Sequence, residues 1–309
     1  MRVHIHANCQ AVPLAGLLNE AEPDWEISYF EVHANDIIDN VDEYHHKIQS
    51  ADLVLTQPIH RGFRNRDDLS VDWVRANIRK DATLLVFPSM HFAGHHPGLD
   101  ALPLAGLPFL SSLLVGHLIA AGETQAAALD RILSDNFISE SEIETEIQVA
   151  MNEMKRREVE DGLDVFISPF FDENCRTKTV FHIQNHPFRE AMVFIANRLL
   201  AHLGRAARAP VEGRDYQPDV HIPPLPSVAR FLDNRRGGRR VESLDMVLLP
   251  GHPAMTQAEY YGHMMDVLAR YTPDEIFQVI EKRWPTVQVL RRLAAQGSTI
   301  PGIARWLGA

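Results

Sequence analysis

Val3-His4-Ile5-His6-Ala7-Asn8-Cys9-Gln10 opens the chain with a short strand pattern that runs straight into an Asn-Cys-Gln turn, and an apolar helix follows from near Val12. Strand, turn and helix in that order make the first half of a βαβ unit. Three more runs repeat the strand part: Glu26 to Phe30, Leu53 to Thr56 and Thr83 to Phe87. All are short and apolar or β-branched, as strands buried on both faces are. Helix-compatible segments lie between them at Val12 to Ala21, Asp36 to Gln49 and Leu69 to Arg79, the last with Ser70 as N-cap ahead of Val71, Trp73 and Val74. The alternation predicts an α/β fold: a doubly wound, mostly parallel sheet of four or more strands, with right-handed crossovers and helices on both faces.

After Pro88 the pattern changes. Gly94, Pro97, Gly98, Pro103, Gly106 and Pro108 describe an irregular loop, and helical stretches follow at Leu110 to Ala121, Glu123 to Leu133 and Glu140 to Glu160. Ile143, Ile147, Ala150 and Met154 mark the apolar face of the third, and its glutamates read as a solvated face. A Phe-rich segment from Val165 to Phe171 leads to Cys175, Thr179 to Ile183 reads as a strand, and Pro187 to Leu203 as a helix with proline at its first turn. An Arg/Ala/Pro-rich connection from Gly204 to Pro226 separates an α/β catalytic and cofactor-binding domain, residues 1–205, from a connection and helical region, 206–309. Helices are expected there at Thr256 to Tyr271, Pro273 to Trp284, Thr286 to Gln296 and Pro301 to Leu307. The basic run from Arg235 to Arg240 reads as an exposed turn, because glycines interrupt it.

With 309 residues and 45% hydrophobic content the chain can bury a sizeable core. A formal charge of −11 argues against a general nucleic-acid binder, which carries a basic footprint. No apolar run is long enough to span a bilayer and no signal core opens the chain, so the cytoplasm is the expected compartment. Two cysteines, Cys9 and Cys175, make no disulfide framework.

Ligands of open parallel sheets bind outside the carboxyl ends of the strands, where the first βα turn aims its amides and a helix N-terminus. A thiol at Cys9 meets positive potential there, which favours the thiolate, and Asn8 and Gln10 flank it with amide donors suited to an oxyanion. The alternative is a small buried side chain at a strand end. Strand three ends in Thr56-Gln57-Pro58-Ile59-His60-Arg61-Gly62-Phe63-Arg64-Asn65-Arg66, which points arginines at the same crevice, as an anionic ligand requires. Strand four ends in Phe87-Pro88-Ser89-Met90-His91-Phe92-Ala93-Gly94-His95-His96-Pro97. His91 and His95 have helical metal-ligand spacing, but Gly94 and Pro97 oppose a helix and no carboxylate or thiol completes a site; they read as crevice contacts, and no metal is expected. A fourth motif, Asn185-His186-Pro187, holds a histidine ahead of a helix, which suits a positioned general base as well as a helix cap. Cys with a distant His is the minimum acyl-transfer pair. Nothing matches GxGxxG after the first strand, a Walker loop, GxSxG or paired CxxC.

Asn8-Cys9-Gln10, Gln57-Pro58 with Phe63-Arg64, Pro88-Ser89 with Phe92-Ala93-Gly94 and Pro97, and Asn185-His186-Pro187, in that order, resemble the WcbI family of capsular polysaccharide biosynthesis proteins over roughly residues 1 to 205. The chain has Ala7 where that family commonly has glycine. The resemblance implies a coenzyme A-binding protein that uses acetyl-coenzyme A to place an O-acetyl group on a nucleotide-linked or polymeric sugar, in the company of other polysaccharide biosynthesis enzymes. On that implication Cys9 stands at the reacting centre, His186 is the general base, Asn8 and Gln10 stabilise the oxyanion, and Arg61 and Arg64 hold the phosphates. Gln57, His91, His95 and Asn185 complete the expected cofactor-binding set. An esterase or thioesterase with the same Cys/His pair, or a non-catalytic coenzyme A-binding subunit, are the alternatives.

Overall fold

The computed structural model describes residues 1–281 except 109, 207, 214, 216–218 and 237–244. The basic run beyond Arg236, the end of the helix expected to reach Trp284 and the helices expected over 286–296 and 301–307 lie outside the described residues. Four strands, β1 (Arg2–Ala7), β2 (Glu26–Glu31), β3 (Leu53–Thr56) and β4 (Thr83–Val86), alternate with helices α1 (Ala11–Ala21), α2 (Asp36–Asp39), α3 (Val41–Ser50) and α4 (Val71–Asn77). Next come α5 (Leu113–Ala120), α6 (Gln125–Ile132), α7 (Glu140–Glu160), α8 (Ser168–Asn174), α9 (Arg189–His202), α10 (Pro226–Arg235), α11 (Gln257–Leu268) and α12 (Pro273–Glu281). The chain divides into two compact units, the first formed by Met1–His91, Asn152–Glu173 and Asn185–Pro218, the second by Phe92–Met151, Asn174–Gln184 and the remainder from Asp219.

In the first unit the strands pair in parallel in the order β2-β1-β3-β4, with His6 opposite Phe30 on one side and Thr56 on the other. The chain leaves β1 toward β2 and then crosses back over β1 to reach β3, which puts the topological switch point between the ends of β1 and β3. This is the doubly wound α/β sheet that the alternation predicts. Strand β1 shows why it is buried on both faces: Val3, Ile5 and Ala7 alternate with His4 and His6, and all five are buried. The two imidazoles lie under Tyr44 of α3, whose ring stacks on His6 at 5.2 Å. His6 Nε2 meets the Leu69 carbonyl at 2.8 Å, and His4 Nδ1 meets the Ser28 hydroxyl at 3.0 Å. Burial pushes the His4 ring down to about 3 and the His6 ring to about 4, so both are neutral. Ile37, Ile48, Val54, Ile59, Leu69 and Val74 complete that layer.

One helix was expected over Asp36 to Gln49, but Asn40 breaks it with φ −121° and ψ 41°, and α3 starts anew behind it. Ser70 caps α4 as expected, accepting the Trp73 amide at 3.3 Å. The open edge of β4 is closed by Asp164, whose amide donates to the Val86 carbonyl at 2.9 Å and whose carboxylate accepts the Val86 amide at 2.7 Å. Near the end of α7, Glu158 accepts the Ile167 and Ser168 amides at 2.6 and 2.8 Å and so starts α8, a helix that begins inside the Phe-rich segment and runs on to Asn174, where the sequence predicts only a lead-in to Cys175.

In the second unit α5 packs against α6, α11 and α12. A Cβ at Gly116 would stand 2.8 Å from the Ile280 side chain, so the glycine is what lets α5 and α12 approach. The start of α5 falls at Leu113 rather than Leu110, because Ser111–Ser112 pairs with Leu99–Asp100 as a short ribbon and Ser112 then caps the helix. Helix α10, with Pro226 at its first turn, had no sequence counterpart among the expected helices. Among the described residues no helix is long and apolar enough to cross a membrane. Neither Cys9 nor Cys175 is in a disulfide.

Candidate active site

The turn after β1 is shaped by Asn8. Its side-chain carbonyl accepts the Gln10 amide at 2.9 Å and its backbone carbonyl accepts the Ala11 amide at 2.9 Å, so the chain bends at Cys9 and begins α1. Cys9 stands half-buried at this bend, at the end of β1 beside the switch point. Its Sγ lies 3.3 Å from His186 Nε2, 177 positions away in the chain. This is hydrogen-bond distance for a sulfur and an imidazole nitrogen, the contact a nucleophile and its base require.

A buried amide network brings the two together. Gln57, which follows β3, accepts the Asn8 amide at 2.9 Å and donates to Gln10 Oε1 at 3.0 Å. Gln10 Oε1 also accepts the Met90 amide at 3.1 Å, while Gln10 Nε2 donates to the Met90 carbonyl at 2.7 Å and the Asn185 carbonyl at 2.9 Å. One side chain thereby ties the end of β1 to the loop after β4 and to the residue preceding His186. Asn8 Nδ2 adds a bond to the Ser89 hydroxyl at 3.2 Å. The four short motifs of the sequence are thus four sides of one hydrogen-bonded frame.

Gln10→Ala would take from a fully buried side chain the partner of the Met90 amide and of the Met90 and Asn185 carbonyls, and one of the two acceptors of the Gln57 amide. At about 1–3 kcal/mol for each unsatisfied buried group, a loss of at least ~3 kcal/mol is expected in urea unfolding. A loss below ~1 kcal/mol would mean the frame carries little of the stability.

The other expected residues lie as follows. Gln10 was expected to stabilise an oxyanion, but both protons of its amide are committed to carbonyls, so it holds the frame. The Arg61 guanidinium is exposed and pairs with Asp72 at 3.0 Å. Arg64, in the left-handed region at φ 53°, bonds the Ala34 carbonyl at 2.6 Å and Asn35 at 2.8 Å, tying the loops after β2 and β3 together. Arg66 pairs with Asp68. His91 lies close enough to Glu153 to join Arg156 and Arg157 in holding that carboxyl below its usual range, the Arg156 hydrogen bond contributing most. His95 belongs to the second unit, where it is fully buried with Nε2 against the Cys175 carbonyl at 2.7 Å; burial pushes it down to about 4. Among the described residues no group of three or more His, Cys, Asp or Glu could hold a metal ion.

Residues 2–208 match the model of a family described as polysaccharide biosynthesis enzyme WcbI. The chain belongs to the WcbI family. A solved structure of WcbI, described as a novel polysaccharide biosynthesis enzyme and as native protein without a disulfide bond between coenzyme A and one of its cysteines, is similar to it in fold. The two superpose with a TM-score of 0.78 at 22% identity, over 94% of this chain and 98% of that one. No curated protein matches the chain. Within this WcbI-family chain, Ser89 and the Met90 carbonyl are site groups to which sequence reasoning gave no role, although Ser89 stands in one of the motifs that carry the resemblance. Their signal was present: they stand three and four residues beyond β4, at the same end of the sheet as Cys9.

Proposed function

We propose that this chain moves an acetyl group from acetyl-coenzyme A to a sugar hydroxyl in the biosynthesis of a bacterial capsular or surface polysaccharide, with Cys9 as nucleophile and His186 as its base. The observation that carries this reading is the 3.3 Å contact of Cys9 Sγ with His186 Nε2 at the switch point of a parallel sheet. The solved WcbI, described in relation to coenzyme A and one of its cysteines, supports the same ligand here. The residues fit such a ligand at its thioester end: a thiol and an imidazole in contact, with the side-chain amide of the neighbouring residue Asn8. Acetyl-coenzyme A supplies an acyl group already activated as a thioester, and its supply places the work in the cytoplasm.

His186 Nε2 takes the Cys9 proton, and the Cys9 thiolate attacks the acetyl carbonyl. Asn8 Nδ2, which donates one proton to Ser89, offers its other to the oxygen that becomes negative, and the turn at the start of α1 adds a favourable dipole. His186 returns the proton to the departing coenzyme A thiolate, which leaves acetyl-Cys9. It then takes the proton of the sugar hydroxyl, whose oxygen attacks acetyl-Cys9, and Cys9 leaves as the thiolate and regains that proton. Gln10, Gln57 and the Asn185 carbonyl keep the two reacting side chains in register.

Rapid mixing with radiolabelled acetyl-coenzyme A followed by acid quench tests the order of events. Acetyl-protein should be trapped on the wild type and be absent from Cys9→Ser. If none is trapped and Cys9→Ser keeps most of its activity, His186 activates the sugar for direct attack on the thioester. Release of acetate with no acetylated sugar when acceptor is present would make the protein a hydrolase.

A further inference from the structure

Beside the Asn8 turn, through Ser89, the first unit holds a concavity of about 190 Å³ lined by Pro58, His60, Pro88, Ser89, Met154, Arg157, Glu158, Asp161 and Leu163. We propose that it seats the acceptor, as a single neutral sugar ring held between Asp161 and Arg157. The inference rests on the acyl-transfer reading and takes from it the position of the reacting thiol. Three observations carry it.

The first is location. Pro58 and Pro88 each stand two residues beyond the carboxyl end of their strand, β3 and β4, where ligands of such sheets bind. Ser89 belongs both to this concavity and to the reacting turn, through its bond from Asn8 Nδ2 at 3.2 Å. A hydroxyl carried on a ring seated here stands next to the turn that presents Cys9.

The second is size. A volume of about 190 Å³ is somewhat above the ~150 Å³ of a cavity that holds one benzene, the scale of a single ring rather than of a nucleotide.

The third is the lining chemistry. Arg157 offers a guanidinium, which also approaches Glu153 at 3.2 Å, and Asp161 offers a largely buried carboxylate 3.7 Å from the exposed His60 ring. Glu158 spends Oε1 on the Ile167 and Ser168 amides. One guanidinium beside two carboxylates gives a polyphosphate no net attraction, whereas sugar hydroxyls can donate to the carboxylate and accept from the guanidinium. Pro58, Pro88, Met154 and Leu163 supply the apolar surface that the C–H face of a ring would cover.

The test measures two ligands on the same proteins. Binding of methyl β-D-glucopyranoside, methyl β-D-galactopyranoside and methyl α-D-mannopyranoside is followed by saturation-transfer NMR, and binding of coenzyme A by calorimetry. The proteins are wild type, Asp161→Asn and Arg157→Gln, each checked for an unchanged melting temperature; Arg157→Lys replaces Arg157→Gln if that variant does not fold. At least one glycoside is expected to bind the wild type, with affinity reduced tenfold or more in both variants and coenzyme A affinity within twofold. The proposal is overturned if no glycoside binds the wild type, if glycoside affinity is the same in the variants, or if coenzyme A affinity falls tenfold with them, which would make the concavity part of the donor site. Failure of coenzyme A to bind any of the three proteins would instead overturn the acyl-transfer reading, while glycoside loss confined to the variants would still uphold the pocket.

Discussion

His186→Asn is expected to lower kcat/KM for acetyl transfer by about 10³-fold, within the 10²–10⁴-fold range of a positioned general base. In the structure His186 Nε2 is 3.3 Å from Cys9 Sγ, and the histidine is delivered there because Gln10 Nε2 holds the carbonyl of the preceding residue, Asn185, at 2.9 Å. An asparagine keeps a side-chain amide near the thiol but cannot accept its proton at neutral pH, so the thiol stays protonated and weakly nucleophilic. Cys9→Ser should lose a similar factor, because a hydroxyl is far harder to ionise beside the same base. The double variant should be little worse than either single one, as happens when two groups act as a unit. Multiplicative losses would contradict a shared role, and a loss under tenfold in His186→Asn would remove this histidine from the chemistry.

Acid should unfold the protein near pH 5, above the range in which carboxylates titrate. Burial is the first cause of the depressed values of five rings: His4 and His96 to about 3, and His6, His95 and His117 to about 4. A histidine held neutral in the fold and free to protonate at 6.5 in the unfolded chain contributes stability that is fully present above pH 6.5. That contribution is lost as pH falls from 6.5 toward the folded value, here 3 to 4, because only the unfolded chain takes up the proton. At pH 5.5 each ring has given up about 1.4 kcal/mol, so five together give up about 7 kcal/mol, a large part of the 5–15 kcal/mol that a domain usually has. Two of the five rings belong to the first unit and three to the second, so both units should lose stability. Melting followed by circular dichroism from pH 7.5 to 4.5 should show a steep fall in Tm below pH 6.5, and unfolding at pH 5.5 should take up several protons. A Tm independent of pH down to 4.5 would show that these rings protonate within the fold.

The sheet was legible in the sequence because each strand is a short apolar run between turn signals, but the order β2-β1-β3-β4 was not, because alternation leaves open on which side of β1 each crossover lands. The Asn8-Cys9-Gln10 turn was legible for the same reason: the end of β1 is fixed by its pattern, and Cys9 stands two residues beyond it. The partners of Gln10 were not legible. They are backbone groups 80 and 175 positions away, and carbonyls carry no sequence signal. The arginines after β3 show the opposite difficulty. A basic cluster in a loop reads as an anion site, yet Arg64 and Arg66 are engaged with Ala34, Asn35 and Asp68, partners that only the folded loops bring near. His95 reads as a contact of the crevice beyond strand four, but it belongs to the second unit, where its ring is buried with Nε2 against the Cys175 carbonyl. Helix α8 starts because Glu158, ten residues before its first residue, accepts that residue's amide and the amide just ahead of it, a distance at which no local motif operates.

The most direct test of the account is a crystal structure of this protein with coenzyme A bound. The account predicts that the thiol arm ends at the β1 turn, with its sulfur within about 4 Å of Cys9 Sγ, contact distance for the two groups. A thiol arm ending anywhere else, with the Cys9–His186 contact left out of its path, would contradict it.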